Sequence, residues 1–568
     1  QFLVCLSAAG LIGLLLFLPA IAQMNSRAYL PLAARNAWLQ APTPTLPVTP
    51  WPTMTPAPAD IRVVSSATFT QTIGAETFLF IVGEVGNAGS TPVSDLTVSA
   101  ALLDSAGELI EHVTEPVYQT MLGPGQTTPF RMMEALPANY ASHTLYLDFR
   151  PATGTPPPIV TPSSRNVYVD RASGWQYYLG EFSNSSGVDM ADVQAVVTLY
   201  DEFGDVINVA DSGRGANSLF EDVVGVGQQR PFRVVLRYGP KDSASLRWQV
   251  TYHVADRPAP ASLPIHVGHV ARSSGTLRDE NGNVIGVTEW FDLYGEVENT
   301  TTGPIRAVRV YATFYGSDGA VTNAGQVQSL HGRLGRLAPG ERTPFHLNIS
   351  SGLIPDVETP RRLGVTYAPA SEIQPDQVSI TTWRAYRETH MVAGAPVEWL
   401  NVVGQVRNDG VDSVQDVRVI ATFYDGADRV VNTMAGQIFR PILPAGGASP
   451  FKIRTASGPL SFDHFSLDVT AHPSTVGEPS GLELDVQAPA PGSVPAVFHG
   501  EVINASGKAA TGVRVFVALY DASGQILVAE EQLVADDLPA GASVPFTLRV
   551  ESSNGWQTYE MGAFKTGW

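Results

Sequence analysis

Asp279-Glu280-Asn281-Gly282-Asn283 is the stretch whose residue types come nearest to a metal loop, because alternate oxygen side chains there could point at one calcium ion. The spacing fails: an EF-hand loop carries glycine at its sixth position and a bidentate glutamate at its twelfth, and here those places hold Val284 and Trp290. An Asn-Gly hairpin turn explains the stretch instead. The 11 histidines are scattered, with no His-Glu-x-x-His and no paired spacing on a strand that would suit zinc. His112, His253, His269, His331 and His499 read as surface or strand residues. Carboxylates recur after a glycine at Glu84, Glu181, Glu296 and Glu501, but Gln405 fills that place once. An amide cannot do acid–base work, so the position is expected to bond backbone or a nearby turn. With no Gly-x-Ser-x-Gly elbow, Walker loop or dinucleotide glycine motif, the expectation is no catalytic residue, no cofactor and no metal.

Aromatic stacking is the remaining chemistry. Trp175, Tyr177, Tyr178, Trp290, Trp383 and Tyr386 are the candidate ligand-binding residues, as platforms for sugar rings. Aromatic residues of β-domains also serve cores and domain interfaces, which is the competing use. Asn184-Ser185-Ser186, Asn299-Thr300-Thr301 and Asn504-Ala505-Ser506 match the glycosylation pattern. The same asparagine stands at Asn87 and Asn408 without the pattern, so its recurrent job is expected to be the turn after a strand.

These residues belong to a sequence unit that occurs five times, starting at Gly83, Gly180, Gly295, Gly404 and Gly500. From Asn87, Asn184, Asn299, Asn408 and Asn504, the residues 16 positions on are Leu103, Tyr200, Tyr315, Tyr424 and Tyr520. A second fixed spacing of five joins Gly125, Gly227, Gly340, Gly446 and Gly541 to Phe130, Phe232, Phe345, Phe451 and Phe546, always with proline before the phenylalanine. The distance between the two blocks varies from 21 to 27 residues, as loops vary while paired strands do not. Repetition near one hundred residues, with apolar strands in every copy, indicates tandem β-domains.

Strict alternation places Val513, Val515, Val517 and Leu519 on one strand face, opposite Arg514, Phe516, Ala518 and Tyr520, which predicts a strand with one buried face. Asp521-Ala522-Ser523-Gly524 then predicts a hairpin turn, and Pro124-Gly125 and Pro339-Gly340 suit the centre of a type II turn. The following proline suits the first residue of an edge strand, and the phenylalanine after it the core.

The segments Val517-Ala518-Leu519-Tyr520-Asp521, Val197-Thr198-Leu199-Tyr200-Asp201 and Ala421-Thr422-Phe423-Tyr424-Asp425 carry a family resemblance. Together with the upstream Gly-Glu-Val-x-Asn and the downstream Pro-Gly-x-x-x-Pro-Phe, they resemble the FxLYD-type domains of secreted prokaryotic proteins. The resemblance implies an immunoglobulin-like β-sandwich for each copy and brings no established chemistry. Leu103 departs from the tyrosine, Gly316 from the aspartate, and Asp428 from the hairpin glycine.

The expected fold is therefore all-β: five immunoglobulin-like β-sandwich domains in tandem, at 60–152, 164–257, 265–369, 377–473 and 482–568. Residues 1–22 read as a signal peptide or membrane anchor helix, with Pro19-Ala20-Ile21-Ala22 suited to signal peptidase. The chain begins at Gln1 without a basic segment, so the true N-terminus is expected to lie further upstream. Residues 23–59 are a Pro/Thr-rich stalk, with a polyproline stretch of roughly 50 Å. The only cysteine, Cys5, lies inside the apolar run, so the exported domains must be stable without disulfides. A balance of 54 acidic to 35 basic residues, net −19, argues against nucleic acid and against charge-driven binding to anionic membranes.

The functional expectation is a non-enzymatic spacer and binding protein, exported to the cell surface or beyond. Its partner would be an extracellular protein or glycan, and it would touch a membrane only through residues 2–22 if these are retained. The alternatives are a carbohydrate-binding adhesion protein and an accessory chain of an extracellular hydrolase.

Overall fold

The computed structural model describes residues 61–565, except 153, 171–172, 214–222, 279–283, 332–334, 371–376, 393–394, 457, 478–480 and 552–553. The apolar segment with Cys5, the stalk and the turn at 279–283 lie outside the described residues. Among those described there is no α-helix, and the strands form ten small antiparallel sheets. The sheets face each other in pairs, and each pair encloses its own apolar cluster; the pairs are called units one to five below.

In unit one the strands are β1 (Ile61–Ile73), β2 (Glu76–Asn87), β3 (Val93–Leu103), β4 (Leu109–Pro116), β5 (Thr127–Ala135) and β6 (Ser142–Pro151). One sheet has the order β1-β2-β5 and the other β4-β3-β6. Leu79, Ile81, Val85 and Phe130 of the first sheet meet Leu96, Val98, Ala100 and Leu102 of the second, so the inward-facing residues of each strand make the core. The same six-strand plan recurs in the other units, with one added two-residue strand in units three and four. The extra hairpin expected near Asp279 is the far end of the long pairing of Ile265–Arg278 with Val284–Glu298.

The repeated asparagine is the hinge pin of each unit. Its side chain is buried, Oδ1 accepting from the amide two residues on and Nδ2 donating both to the carbonyl four residues on and to a carbonyl before the later glycine turn. In unit four these partners are Gly410 at 3.0 Å, Asp412 at 2.8 Å and Leu443 at 3.0 Å. The backbone of Asn408 closes the same turn by pairing with Gly446 and Gly447. Asn184, Asn299 and Asn504 are used identically, so in the fold their side-chain nitrogens face the interior, where a glycan has no room.

The recurring Gly and Phe are one packing feature. Gly83, Gly180, Gly295, Gly404 and Gly500 pair in register with Phe130, Phe232, Phe345, Phe451 and Phe546, whose rings lie over them. A Cβ on Gly180 would stand 2.3 Å from the Phe232 ring, so no other residue fits beneath the ring. Proline sits on the edge strand as expected, although at its third residue in all five units, because the strand starts earlier than the proline suggests.

Asp104, Asp201, Asp425 and Asp521 close the hairpins by accepting two backbone N–H bonds each. In unit three, where Gly316 replaces the aspartate, Asp318 accepts from Ala320 instead and the turn survives. Asp428 takes φ 58° in place of the hairpin glycine.

Truncating the pin should show how much each unit depends on it. Asn408→Ala removes three hydrogen bonds, those of the Gly410 N–H and of the Asp412 and Leu443 carbonyls, and should lower stability by about 2–4 kcal/mol in equilibrium denaturation. A loss within experimental error of zero would mean that the turn is held by its backbone alone.

Candidate functional site at the unit junctions

The third strand of units two to five is buried on both faces, which corrects the expectation of a single buried face. The second face is covered by the preceding unit. Phe516 and Ala518 pack with Val403 and Phe439 of unit four, and Val196, Val206 and Val209 pack with Val82 of unit one beside Phe69 and Tyr118. An alternating pattern reports two faces and says nothing of what covers the second.

At the centre of each junction two of the repeated residues meet, and at three of the four they share a hydrogen bond. Tyr315 donates to Glu181 Oε1 at 3.0 Å and Tyr424 to Glu296 Oε1 at 2.8 Å. Gln405 Nε2 donates to the Tyr520 hydroxyl at 3.1 Å, and at the first junction burial, with the nearby Glu84 carboxylate adding, pushes the Tyr200 hydroxyl pKa up. The side chains of Glu84, Glu181 and Glu296 are only 6–7% exposed, whereas Glu501 of the last unit, the remaining member of the series, is exposed. The carboxylates therefore bond the next unit, which replaces the expected bond to backbone or a local turn. Leu103 stands in the one tyrosine position that meets no earlier unit among the described residues.

Neighbouring residues complete the contact. Arg247 Nη1 reaches Glu84 at 3.0 Å and Arg362 Nη1 reaches Glu181 at 3.1 Å. Ser65 Oγ accepts from the Val206 amide at 2.9 Å, Ser164 Oγ from Val321 at 3.0 Å, and Thr382 Oγ1 from Ile526 at 3.2 Å. At the third junction Gly268 takes over, and a Cβ there would lie 1.9 Å from the Val430 carbonyl oxygen. Tyr118 donates to Asp211 at 2.5 Å and Arg230 to Tyr311 at 2.7 Å.

His331 is buried at the third junction, between Thr343 and Asp468 of the next unit, which corrects its reading as a plain surface or strand residue. Burial works against ionising Asp468, but the bond and charge of His331 hold its carboxyl below the usual range. This junction also borders a cleft of about 360 Å³ lined by Glu296, His331, Arg342, Tyr424, His464 and Asp468.

The six candidate binding aromatics are spread over three units and do not converge. Tyr178 lies in the unit-two core with its ring edge-on to Trp248, and Tyr177 stacks on Tyr168 at 4.8 Å. Trp175 lies beneath the Arg237 guanidinium at 4.5 Å, and Trp290 is half-buried. Trp383, 48% exposed, sets its ring against Phe465, while Tyr386 packs against the apolar cluster of the fourth junction. Trp383 and Tyr386 are three residues apart on one strand and point to opposite faces.

Several residues used here lack a signal in any single copy: Ser65, Ser164, Thr382, Arg247 and Arg362. An αL position eight residues after each asparagine, at Asp95, Asp192, Ala307, Asp416 and Gly512, was equally unread. Its fixed offset and its Asp/Gly preference would have found it.

No protein-family model matches the chain, and no curated protein does. Among solved structures it is similar to Escherichia coli α2-macroglobulin activated by porcine elastase, at 11% identity over 88% of this chain and 53% of that one, with a TM-score of 0.10. The native conformation of the same E. coli protein gives 10% identity, 90% and 40% coverage, and a TM-score of 0.09. The chain spans about half or less of those proteins, and TM-scores of this size carry no argument about fold or function.

The junction tyrosines make a pH prediction. Burial first, and then the Glu181 carboxylate, push Tyr315 up to about 12; burial likewise pushes Tyr424 up to about 12, with Glu296 adding and Ser466 opposing. Unfolded tyrosine ionises near pH 10, so the stabilisation is fully present below about pH 10 and is lost as pH rises towards about 12. Urea unfolding should show that loss between about pH 10 and 12, and a Tyr315→Phe/Tyr424→Phe chain should show a smaller one. Equal alkaline losses in both chains would remove the tyrosines from the account.

Proposed function

We propose that the chain is a non-enzymatic strut: five immunoglobulin-like domains, at 60–152, 164–257, 265–369, 377–473 and 482–568, that hold whatever they carry at a fixed distance from a cell surface or within a secreted assembly. The observation that supports this reading best is the recurrence of one part-buried bond, between a glutamate or glutamine and the next unit's tyrosine, at three of the four junctions, with an arginine of the next unit on the same glutamate at the first. Catalysis asks for a few special residues at one place; this chain spends its best-placed carboxylates on making successive domains meet in one geometry. Linker residues work the same way, with Val160 packed into the unit-two core and Ala259 bonded to Asp189. The apolar segment at 2–22, ending in Pro19-Ala20-Ile21-Ala22, supports export.

Domains of this size have a radius of gyration of about 13 Å, so five in line extend on the order of 150–200 Å. Small-angle scattering of the whole chain, with and without calcium, tests the proposal. An extended particle with a well-defined cross-section, unchanged by calcium, is the expected result. A compact particle, a flexible-chain profile or stiffening by calcium would overturn it.

A further inference from the structure

We propose that Gln405 and Glu560 are a matched pair that decides which neighbour the fifth unit accepts. The inference rests on the strut reading and deepens it, because a strut of similar domains needs each domain to dock on its own predecessor.

The residue that pairs in register with the position two before each junction tyrosine is Arg247 opposite Thr198, Arg362 opposite Thr313, Ser466 opposite Thr422 and Glu560 opposite Ala518. Each of these places faces the residue after the strand glycine in the preceding unit. At the first two junctions an arginine meets a buried glutamate, at 3.0 and 3.1 Å. At the third a serine takes the place of arginine, and the second oxygen of Glu296 is instead 3.8 Å from Arg342 of its own unit. At the fourth the polarity is inverted: Gln405 Nε2 donates to Glu560 Oε2 at 2.7 Å, while the Tyr520 hydroxyl donates to the same oxygen at 3.1 Å.

The exchange of glutamate for glutamine and of arginine for glutamate therefore occurs on both sides of one contact. Docked behind unit one, two or three, unit five would set Glu560 against Glu84, Glu181 or Glu296. Two carboxylates would then share a site that leaves the first of them 6–7% exposed, and like charges in such a site repel strongly. Docked behind unit four, units two and three would bring an arginine to an amide and lose its carboxylate. A second pair of fixed sign, Lys452 Nζ with Glu530 at 2.6 Å, crosses the same junction. Tandem domains that share one docking geometry are exposed to pairing with the wrong copy, within a chain or between chains, and a repulsive element against the wrong neighbours is a general remedy.

Hydrogen exchange of the full chain tests this at the Ile526 amide, whose partner is Thr382 across the junction. Gln405→Glu should raise exchange about tenfold or more in peptides covering 521–529 at neutral pH, with unit-one peptides unchanged as the folding control. Gln405→Glu combined with Glu560→Arg recreates the arrangement of the first two junctions and should restore protection to within about twofold of the parent. If the single variant loses unit five altogether, recovery in the double variant still supports the pairing. Parental protection in the single variant, or a double variant as exposed as the single, would overturn it. A stiff, extended scattering profile together with either of those results would reject this inference and leave the strut reading standing. Compact or flexible scattering would reject the strut reading, whatever the charge exchange did.

Discussion

A carboxylate that is only 6–7% exposed must find donors, because the cost of taking a charge out of water is recovered only through good hydrogen bonds and opposite charge. Glu181 and Glu296 accept from a tyrosine of the following unit, and Glu84 and Glu181 each pair with an arginine of that unit. Each such unit is thus incomplete by itself in a defined way, and its neighbour completes it. The apolar residues around the bond, such as Val82 against Val196 or Val403 against Phe516, then exclude water from it and make the bond directional. Truncating one partner would leave the other buried and unpaired, so the junction geometry is far more constrained than its short Pro-rich linkers alone would make it.

Within a unit the same logic operates on neutral groups. The asparagine satisfies carbonyls from two loops with a single amide, which ties the end of the second strand to the turn before the fifth. The phenylalanine of the fifth strand covers the glycine of the second, and the residue after that glycine is the one that reaches the next unit. The internal pin and the external bond are therefore only three residues apart on one strand, so the core that places the asparagine also places the glutamate.

Much of the unit was legible from the sequence because its determinants are local. Alternation, Asp-x-x-Gly turns, the Pro-Gly turn and the Gly-to-Phe spacing all act over a few residues, and the strands formed where they indicated. The junction was not legible, because its partners lie 115 to 134 residues apart, as with Gln405 and Tyr520 or Glu181 and Tyr315. The exceptions held the information: Leu103 departs where no preceding unit lies among the described residues, and Gln405 departs where the facing residue is Glu560 rather than an arginine. Taken alone, those departures argued only against catalysis. Set beside the register of the sheets, they mark the contact surface.

The central claim is that buried junction bonds, and not linker stiffness, fix the angle between successive units. Its most direct measurement is the distribution of those angles in single-particle electron micrographs of the whole chain. The parent is compared with a chain carrying Glu84→Ala, Glu181→Ala, Glu296→Ala and Gln405→Ala. The account predicts a narrow distribution at every junction of the parent and a broad one in the substituted chain, with the individual units still intact. Equally narrow distributions in both chains would contradict it and return the stiffness to the proline-rich linkers.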